Sequence, residues 1–209
     1  MAKELEGFVA RLTALGGGSG DSQALYDDWA ATYEDNLQQD YGYIAPRIAA
    51  EAFAAHAGDK NLAILDLGCG TGLVGQALAA HGFTQLDGLD ISPGMLAEAE
   101  AKGIYARLLR GDMTKALDLD GRRYDGAIGV GCFGGGHVGP EHLAEIISSV
   151  RPGGLLVFYI NCIPYDEDDY PAHFRSLEAE GVWRLETTVQ SNYMQALERP
   201  GWVVVGYRS

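Results

Sequence analysis

The sequence is poor in cysteine and in basic residues, and each shortage excludes a class of protein. The number of cysteines is odd, and none of them has C-x-x-C spacing, so Cys69, Cys132 and Cys162 indicate neither a disulfide framework nor a zinc site. The 15 lysines and arginines stand against 29 acidic residues, which leaves a formal net charge of −14. Because sequence-independent nucleic-acid binding depends on basic side chains that neutralise phosphates, we expect no nucleic-acid partner.

Long apolar runs are also missing. No stretch approaches the roughly 18 apolar residues of a membrane span. Residues 1–20 carry acids and lack the apolar centre of a secretory signal. These absences predict a cytoplasmic protein with no membrane partner and no metal site, and they leave the oligomeric state open.

The 209 residues are 47% hydrophobic and 21% charged, a composition that fits one globular domain. A glycine-rich break at residues 16–20 follows a short predicted helix, and Leu25, Trp29 and Tyr33 recur at spacing four on one face of a further helix. We therefore predict a helical N-terminal extension over residues 1–45 and a single globular unit over residues 46–209.

Strand and helix patterns alternate from about residue 60 onward. Five apolar strand segments occur in order, namely "LAILDLG", "TQLDGLDIS", "ARLLRGDM", "YDGAIGVGC" and "LLVFYIN". A helix and a final pair of strands, "WRLETTVQSNYM" and "GWVVVGYR", follow them. This order predicts an α/β fold with a doubly wound, Rossmann-like, seven-stranded and mostly parallel sheet.

Two glycine patterns overlap in "ILDLGCGTGLVGQAL". Gly70, Gly72 and Gly75 spell the G-x-G-x-x-G of dinucleotide-binding turns, whereas Gly68, Gly70 and Gly72 form a pattern shifted by two residues. In the dinucleotide pattern the glycines directly follow the strand, but here the strand runs straight into Gly68, and Gly75 would lie a full turn inside the helix. Asp66 at the end of the strand would repel a pyrophosphate, yet it suits a cofactor with cationic groups. The shifted pattern is therefore favoured.

The segment "ILDLGCGTG" resembles the first motif of the class I S-adenosylmethionine (SAM)-dependent methyltransferases. Four further motifs follow in the order of that family, which are Asp90 at the end of "LDGLD", "GDM" at residues 111–113, "YDGAIGV", and "RPGG" before an apolar strand. Each motif is weak alone, but together they cover residues 60–160 closely. The resemblance implies a methyltransferase that binds SAM.

The resemblance also implies which residues hold the cofactor. Asp90 would accept hydrogen bonds from both ribose hydroxyls, with a helix-capping acid as the alternative. Asp112 would accept the adenine amino group, with a solvated loop acid as the alternative. The remaining implied contacts are Asp66, Gly68, Cys69 through its backbone, Gly70 and Gly72 around the loop, and the apolar residues Ile91, Met95, Met113 and Val130. Apart from Val130, these apolar residues could equally be ordinary core.

The segment "LYDDWAATYEDNL" resembles the lid helix of small-molecule methyltransferases. Together with "YIAPR" and "SPGML", it is similar to the branch of the family typified by the methyltransferase of the Williams–Beuren syndrome region. The resemblance implies a helical lid in which the hydroxyls of Tyr26 and Tyr33 point toward the methionyl end of SAM. Arg47 would pair with the cofactor carboxylate or lie on a solvated helix face.

Methyl transfer to a small-molecule acceptor is the function that these features favour. The acidic composition, the absence of an appended recognition domain and the lid-like helices support such an acceptor. His137 follows the fourth strand and could accept a proton from the acceptor, with a loop histidine without this role as the alternative. Two other functions stay open, a catalytically silent SAM-binding protein that acts through partners and a nicotinamide-dependent oxidoreductase supported by "GTGLVG" alone. The acidic segment "YDEDDY" is predicted to be a solvated loop.

Overall fold

The computed structural model describes residues 42–134, 137–193 and 200–209. Its strands are β1 (Ile64–Leu67), β2 (Leu86–Asp90), β3 (Arg107–Arg110), β4 (Tyr124–Val130), β5 (Val150–Asn161), β6 (Trp183–Asn192) and β7 (Pro200–Arg208). Its helices are α1 (Ala45–His56), α2 (Leu73–Ala80), α3 (Pro93–Ala101), α4 (Leu143–Ser148), α5 (Cys162–Glu167) and α6 (Tyr170–Ala179), with a 3₁₀ turn at Pro140–His142 before α4. Tyr26 and Tyr33 lie outside the described residues, so the helical extension over residues 1–45 stays a prediction.

The seven strands form one sheet in the order β3-β2-β1-β4-β5-β7-β6. The pairs among β1 to β5 are parallel, and β7 is antiparallel to β5 and β6. The predicted doubly wound, mostly parallel sheet is therefore confirmed. The chain winds outward from β1 to β3 and then returns to β4 on the other side of β1. In such sheets ligands bind beyond the carboxyl ends of the strands at this topological switch.

Side chains of β1 alternate between the two faces of the sheet. Leu65 and Leu67 belong to the core that includes residues of α4 and α6, whereas Ile64 belongs to the core that includes residues of α1 and α2. All four residues of β1 are fully buried, as a central parallel strand covered on both faces should be. By this alternation Asp66 lies on the α1 and α2 face, among apolar side chains.

Local signals determine where the helices beside the switch begin. Ser92 caps α3, since its Oγ accepts the Met95 N–H at 3.1 Å, and Pro93 supplies a preset φ at the first helical position. Gly72 precedes α2 with a φ of +96°, a left-handed conformation that glycine adopts at little cost. None of the described helices has both the length and the apolar character needed to span a membrane.

The segment "YDEDDY" differs from the predicted solvated loop. Its acids are exposed, but the segment spans the end of α5 and the start of α6. Tyr165 and Tyr170 are buried and stack with 6.3 Å between ring centroids. The Tyr170 hydroxyl also donates to the Val138 carbonyl oxygen at 2.7 Å. The loop prediction was wrong for Asp166 and Glu167, which lie in α5, and for the two tyrosines, whose rings bury large apolar surfaces. Asp168 and Asp169 do form an exposed turn between the helices.

Candidate functional site

The connection from β1 to α2, residues 68–72, forms a glycine loop at the switch point. Gly68 has a φ of +63°, and a Cβ there would lie 2.7 Å from the Cβ of Cys132, so a larger residue would be both strained and crowded. Gly70 has a φ of +52° and no heavy atom within 4 Å of an added Cβ. The backbone at Gly70 therefore borders open space that a ligand can occupy.

Gly75, the last glycine of the rejected dinucleotide pattern, has a packing role. It is the third residue of α2, and a Cβ there would lie 2.4 Å from the Tyr105 hydroxyl oxygen and 2.9 Å from Cδ1 of Ile104. Its small size lets α2 pack against Tyr105, so a pyrophosphate is not needed to explain this glycine.

Asp90 joins the end of β2 to the glycine loop. Its Oδ2 accepts the Gly70 N–H at 2.8 Å, and its Oδ1 accepts the Ser92 N–H at 2.9 Å. The side chain that caps α3 is that of Ser92, so Asp90 is not the helix-capping acid that the alternative interpretation requires. A carboxylate has about four acceptor positions, which suits an additional diol ligand. The ribose contact of Asp90 stays a prediction.

Asp66 is fully buried behind the loop. Its Oδ2 accepts the Tyr105 hydroxyl at 2.6 Å, and its Oδ1 is a buried atom with no hydrogen-bond partner among the described residues. The pKa of Asp66 is raised to about 7, mainly because burial disfavours the charged form. The negative charge of Asp90 also acts to raise it, whereas hydrogen bonds from the Tyr105 hydroxyl and the Gly75 backbone N–H act to lower it. Sequence reasoning missed Tyr105, because no motif links it to a residue that lies 39 positions earlier.

Asp112 and Met113 follow β3 at the same edge of the sheet. Asp112 Oδ1 accepts the Thr114 N–H at 2.9 Å and the Thr114 hydroxyl at 2.6 Å, and Oδ2 pairs with Lys115 Nζ at 2.8 Å. Partial burial alone would raise the pKa of Asp112, but these hydrogen bonds lower it, so the group is ionised at neutral pH. Met113 lies against the glycine loop, with its Cε 3.3 Å from a Cβ built at Gly68. The adenine contacts of both residues stay predictions.

Cys69 and Cys132 are buried beside the glycine loop, and Cys132 Sγ donates to the Leu67 carbonyl oxygen at 3.3 Å. Burial raises the pKa of both thiols, so they are protonated and poor nucleophiles.

Met95 and Val130 are buried and Ile91 is partly buried, which is compatible with a core position and with a cofactor wall. Within the three described ranges, no group of His, Cys, Asp and Glu is arranged to hold a metal ion.

Two predicted site residues lie further from the glycine loop in the chain. Arg47 is on an exposed side of α1, where its guanidinium pairs with Glu51 Oε1 at 2.5 Å. This geometry favours the solvated-face alternative for Arg47 over the cofactor carboxylate, which stays an untested prediction. His137 is partly buried after β4, with Nδ1 3.1 Å from the Gly134 carbonyl oxygen.

An aromatic wall, which we define as Tyr43, Tyr159 and Tyr193, stands beside the end of β4. Tyr159 is fully buried, and the partly buried Tyr43 and Tyr193 pack against the core that contains it. The Tyr43 hydroxyl oxygen would lie 3.1 Å from a Cβ at Gly131, the residue after Val130. Tyr193 meets Tyr43 and Tyr159 edge to face, with ring centroids 6.3 and 6.1 Å apart. Sequence reasoning missed this wall, although Tyr43 opens the "YIAPR" motif.

The chain is similar to several known methyltransferases. A family model described as a methyltransferase domain matches residues 64–154. Methyltransferase-like protein 27 of Homo sapiens is 38% identical over 196 residues, which span 88% of this chain and 79% of that protein. An 18S rRNA (guanine-N(7))-methyltransferase of Arabidopsis thaliana is 43% identical over 67 residues, only 32% of this chain and 23% of that enzyme. The crystal structure of magnesium protoporphyrin IX methyltransferase from Synechocystis with bound S-adenosylhomocysteine (SAH) matches with a TM-score of 0.63 and 18% identity, over 89% of this chain and 98% of that chain.

Proposed function

The chain belongs to the class I SAM-dependent methyltransferases, in the branch of methyltransferase-like protein 27, and we propose that it methylates a small-molecule acceptor. Its cofactor is SAM and its reaction is methyl transfer. The observation that carries the proposal for the acceptor is the aromatic wall beside Gly131, at the carboxyl end of β4. Pockets for small molecules are lined mainly by apolar and aromatic groups with a few polar ones.

The residues at the switch point fit SAM. Gly70 leaves open space over the backbone, and Asp90 presents a carboxylate next to it. The unpartnered Oδ1 of Asp66 is a buried acceptor that suits a cationic ligand group. We propose that Asp90 holds the ribose hydroxyls, that Asp112 and Met113 lie at the adenine, and that the glycine loop lies along the methionyl part.

SAM, when bound, supplies a methyl group on a positively charged sulfur that becomes neutral on transfer. Because the leaving group is neutral, alignment of the acceptor with the methyl group can supply most of the catalysis. We propose His137 as the base for an acceptor that must lose a proton. With its Nδ1–H donating to the Gly134 carbonyl oxygen, Nε2 is the basic nitrogen of the ring.

The loop after β4 has close neighbours on two sides, which supports an enclosed acceptor site. Tyr43 stands over Gly131 on one side. On the other side, a Cβ at Gly134 would lie 2.0 Å from the Pro164 Cβ and 3.1 Å from Asp168 Oδ2. These contacts place α5 directly against the loop.

RNA is the second candidate acceptor, because part of the chain resembles an 18S rRNA methyltransferase. That likeness covers 32% of the chain, and the net charge of −14 opposes phosphate contacts.

The three free cysteines fit a reducing compartment, and we propose a cytoplasmic location on that ground.

A labelling experiment tests the proposed acceptor. The protein is incubated with SAM carrying a radioactive methyl group and with cell extract separated into metabolite, RNA and protein fractions. Label in a low-mass product of the metabolite fraction is expected, and the Asp90→Ala variant, which should not bind SAM, gives the blank. Label confined to RNA or to protein would overturn the proposal and would identify the alternative acceptor class.

A further inference from the structure

Tyr105 lies between α3 and β3, outside the five motifs named above, and yet it contacts the glycine loop. A Cβ at Gly72 would lie 3.2 Å from its ring carbon Cε2, and a Cβ at Gly75 would lie 2.4 Å from its hydroxyl oxygen. The hydroxyl donates to Asp66 Oδ2 at 2.6 Å. The ring therefore fills the space that two small residues leave, and the hydroxyl reaches the buried acid behind them.

Asp66 is in an unusual state for a buried carboxyl group. The Tyr105 hydroxyl and the Gly75 backbone N–H act on it as hydrogen-bond donors. The charged or titratable groups that act on it are Tyr105, Asp90, Cys69 and Cys132, and none of them is a cation. Oδ1 has no hydrogen-bond partner among the described residues, although the atom is buried. A buried acceptor without a partner is unfavourable, so a ligand group or a water that donates to Oδ1 would stabilise the site.

On the basis of the proposed cofactor site, we propose that Tyr105 is a positioning residue whose hydroxyl holds the Asp66 carboxyl group in place. In this orientation, Asp66 Oδ1 accepts a hydrogen bond from the methionyl ammonium of the cofactor, either directly or through one water. The hydroxyl satisfies one carboxyl oxygen and leaves the other for the ligand. Phenylalanine at position 105 would fill the same space between α2 and the loop, so the positioning of Asp66 depends on the hydroxyl and not on the ring.

The substitution Tyr105→Phe separates positioning from packing. Calorimetric titrations would use SAH, which carries the methionyl ammonium, and methylthioadenosine, which shares the nucleoside and lacks the ammonium. We expect SAH to bind about tenfold more weakly to the variant and methylthioadenosine to bind as it does to the unsubstituted protein. The ratio of the two affinities is insensitive to a general loosening of the fold.

The pH dependence provides a second readout. Because an ionised Asp66 attracts an ammonium, SAH affinity should fall as the pH decreases through the pKa of Asp66, which is about 7. The hydrogen bond from Tyr105 lowers that pKa, so in the variant the loss of affinity should begin at a higher pH. Methylthioadenosine should show no such fall in either protein.

Tyr124→Phe is the matched control. The Tyr124 hydroxyl donates to the buried Asp87 at 2.8 Å, near the amino ends of the strands and away from the glycine loop. This control should lose stability without changing the affinity ratio. Equal weakening of both ligands by Tyr105→Phe, or no weakening of either, would overturn the proposal. Asp90→Ala tests the underlying site separately, since unchanged binding of both ligands there would refute the cofactor site itself.

Discussion

Replacing Gly70 with alanine should reduce cofactor affinity, in addition to a modest loss of stability. Gly70 has a φ of +52°, and an added Cβ would meet no protein atom within 4 Å. The left-handed conformation costs alanine roughly 1–2 kcal/mol. In a domain of this size, about 1 kcal/mol lowers the Tm by roughly 2–4 °C. The cost to folding is therefore modest.

Gly70→Ala should also weaken binding, because the added methyl group occupies the open space assigned to the ligand. An extra methyl in a close-fitting site costs about 1–3 kcal/mol, which corresponds to a loss of roughly 5- to 150-fold in affinity. Calorimetric titration with SAH measures this loss, and thermal unfolding without ligand measures the cost in stability.

Gly181→Ala is the matched control for this experiment. Gly181 follows α6, has a φ of +70° and also has no heavy atom within 4 Å of an added Cβ. It should lose as much stability as Gly70→Ala and keep its affinity for SAH. If the two variants bind SAH equally well, the cofactor does not lie against Gly70, and the reasoning from the glycine loop is refuted.

Three further predictions concern the groups around the loop. The pKa of Asp66 is about 7 in the folded protein, which is above its value in the unfolded chain. Between these two pH values the native state holds an additional proton, so the free energy of unfolding falls as the pH rises from the lower value to the higher one. Urea unfolding at several pH values should show a smaller fall for Asp66→Asn, and identical pH dependences would contradict the assignment. Iodoacetamide should label the partly buried Cys162 before Cys69 and Cys132, whose thiols are buried and protonated, and mass spectrometry showing equal labelling would contradict this order. Gly75→Ala should lower stability by about 1–3 kcal/mol, because its Cβ would lie 2.4 Å from the Tyr105 hydroxyl oxygen, and an unchanged Tm would contradict that contact.

The sequence was sufficient to predict the sheet and the position of the glycine loop, because both depend on local signals. Apolar strand segments, Ser92 with Pro93, and Gly72 mark the elements directly. Even the contact between Asp90 and Gly70 follows from the parallel pairing of β1 with β2, which brings their carboxyl ends together. The burial of the two tyrosines of "YDEDDY" was not predicted, because the four acidic residues between them are typical of an exposed loop.

The proposed acceptor side of the site is built differently, and this explains why the sequence did not reveal it. The cofactor side is made mainly of backbone, so glycines and strand ends identify it. The aromatic wall is made of side chains that meet only in the folded chain, since Tyr43 precedes α1, Tyr159 lies in β5 and Tyr193 follows β6. The backbone of Ile44 completes this assembly by donating to the Tyr193 carbonyl oxygen at 2.9 Å. In the proposed site, a change of acceptor would therefore require only new side chains at these distant positions, while the glycine loop and its cofactor stay the same.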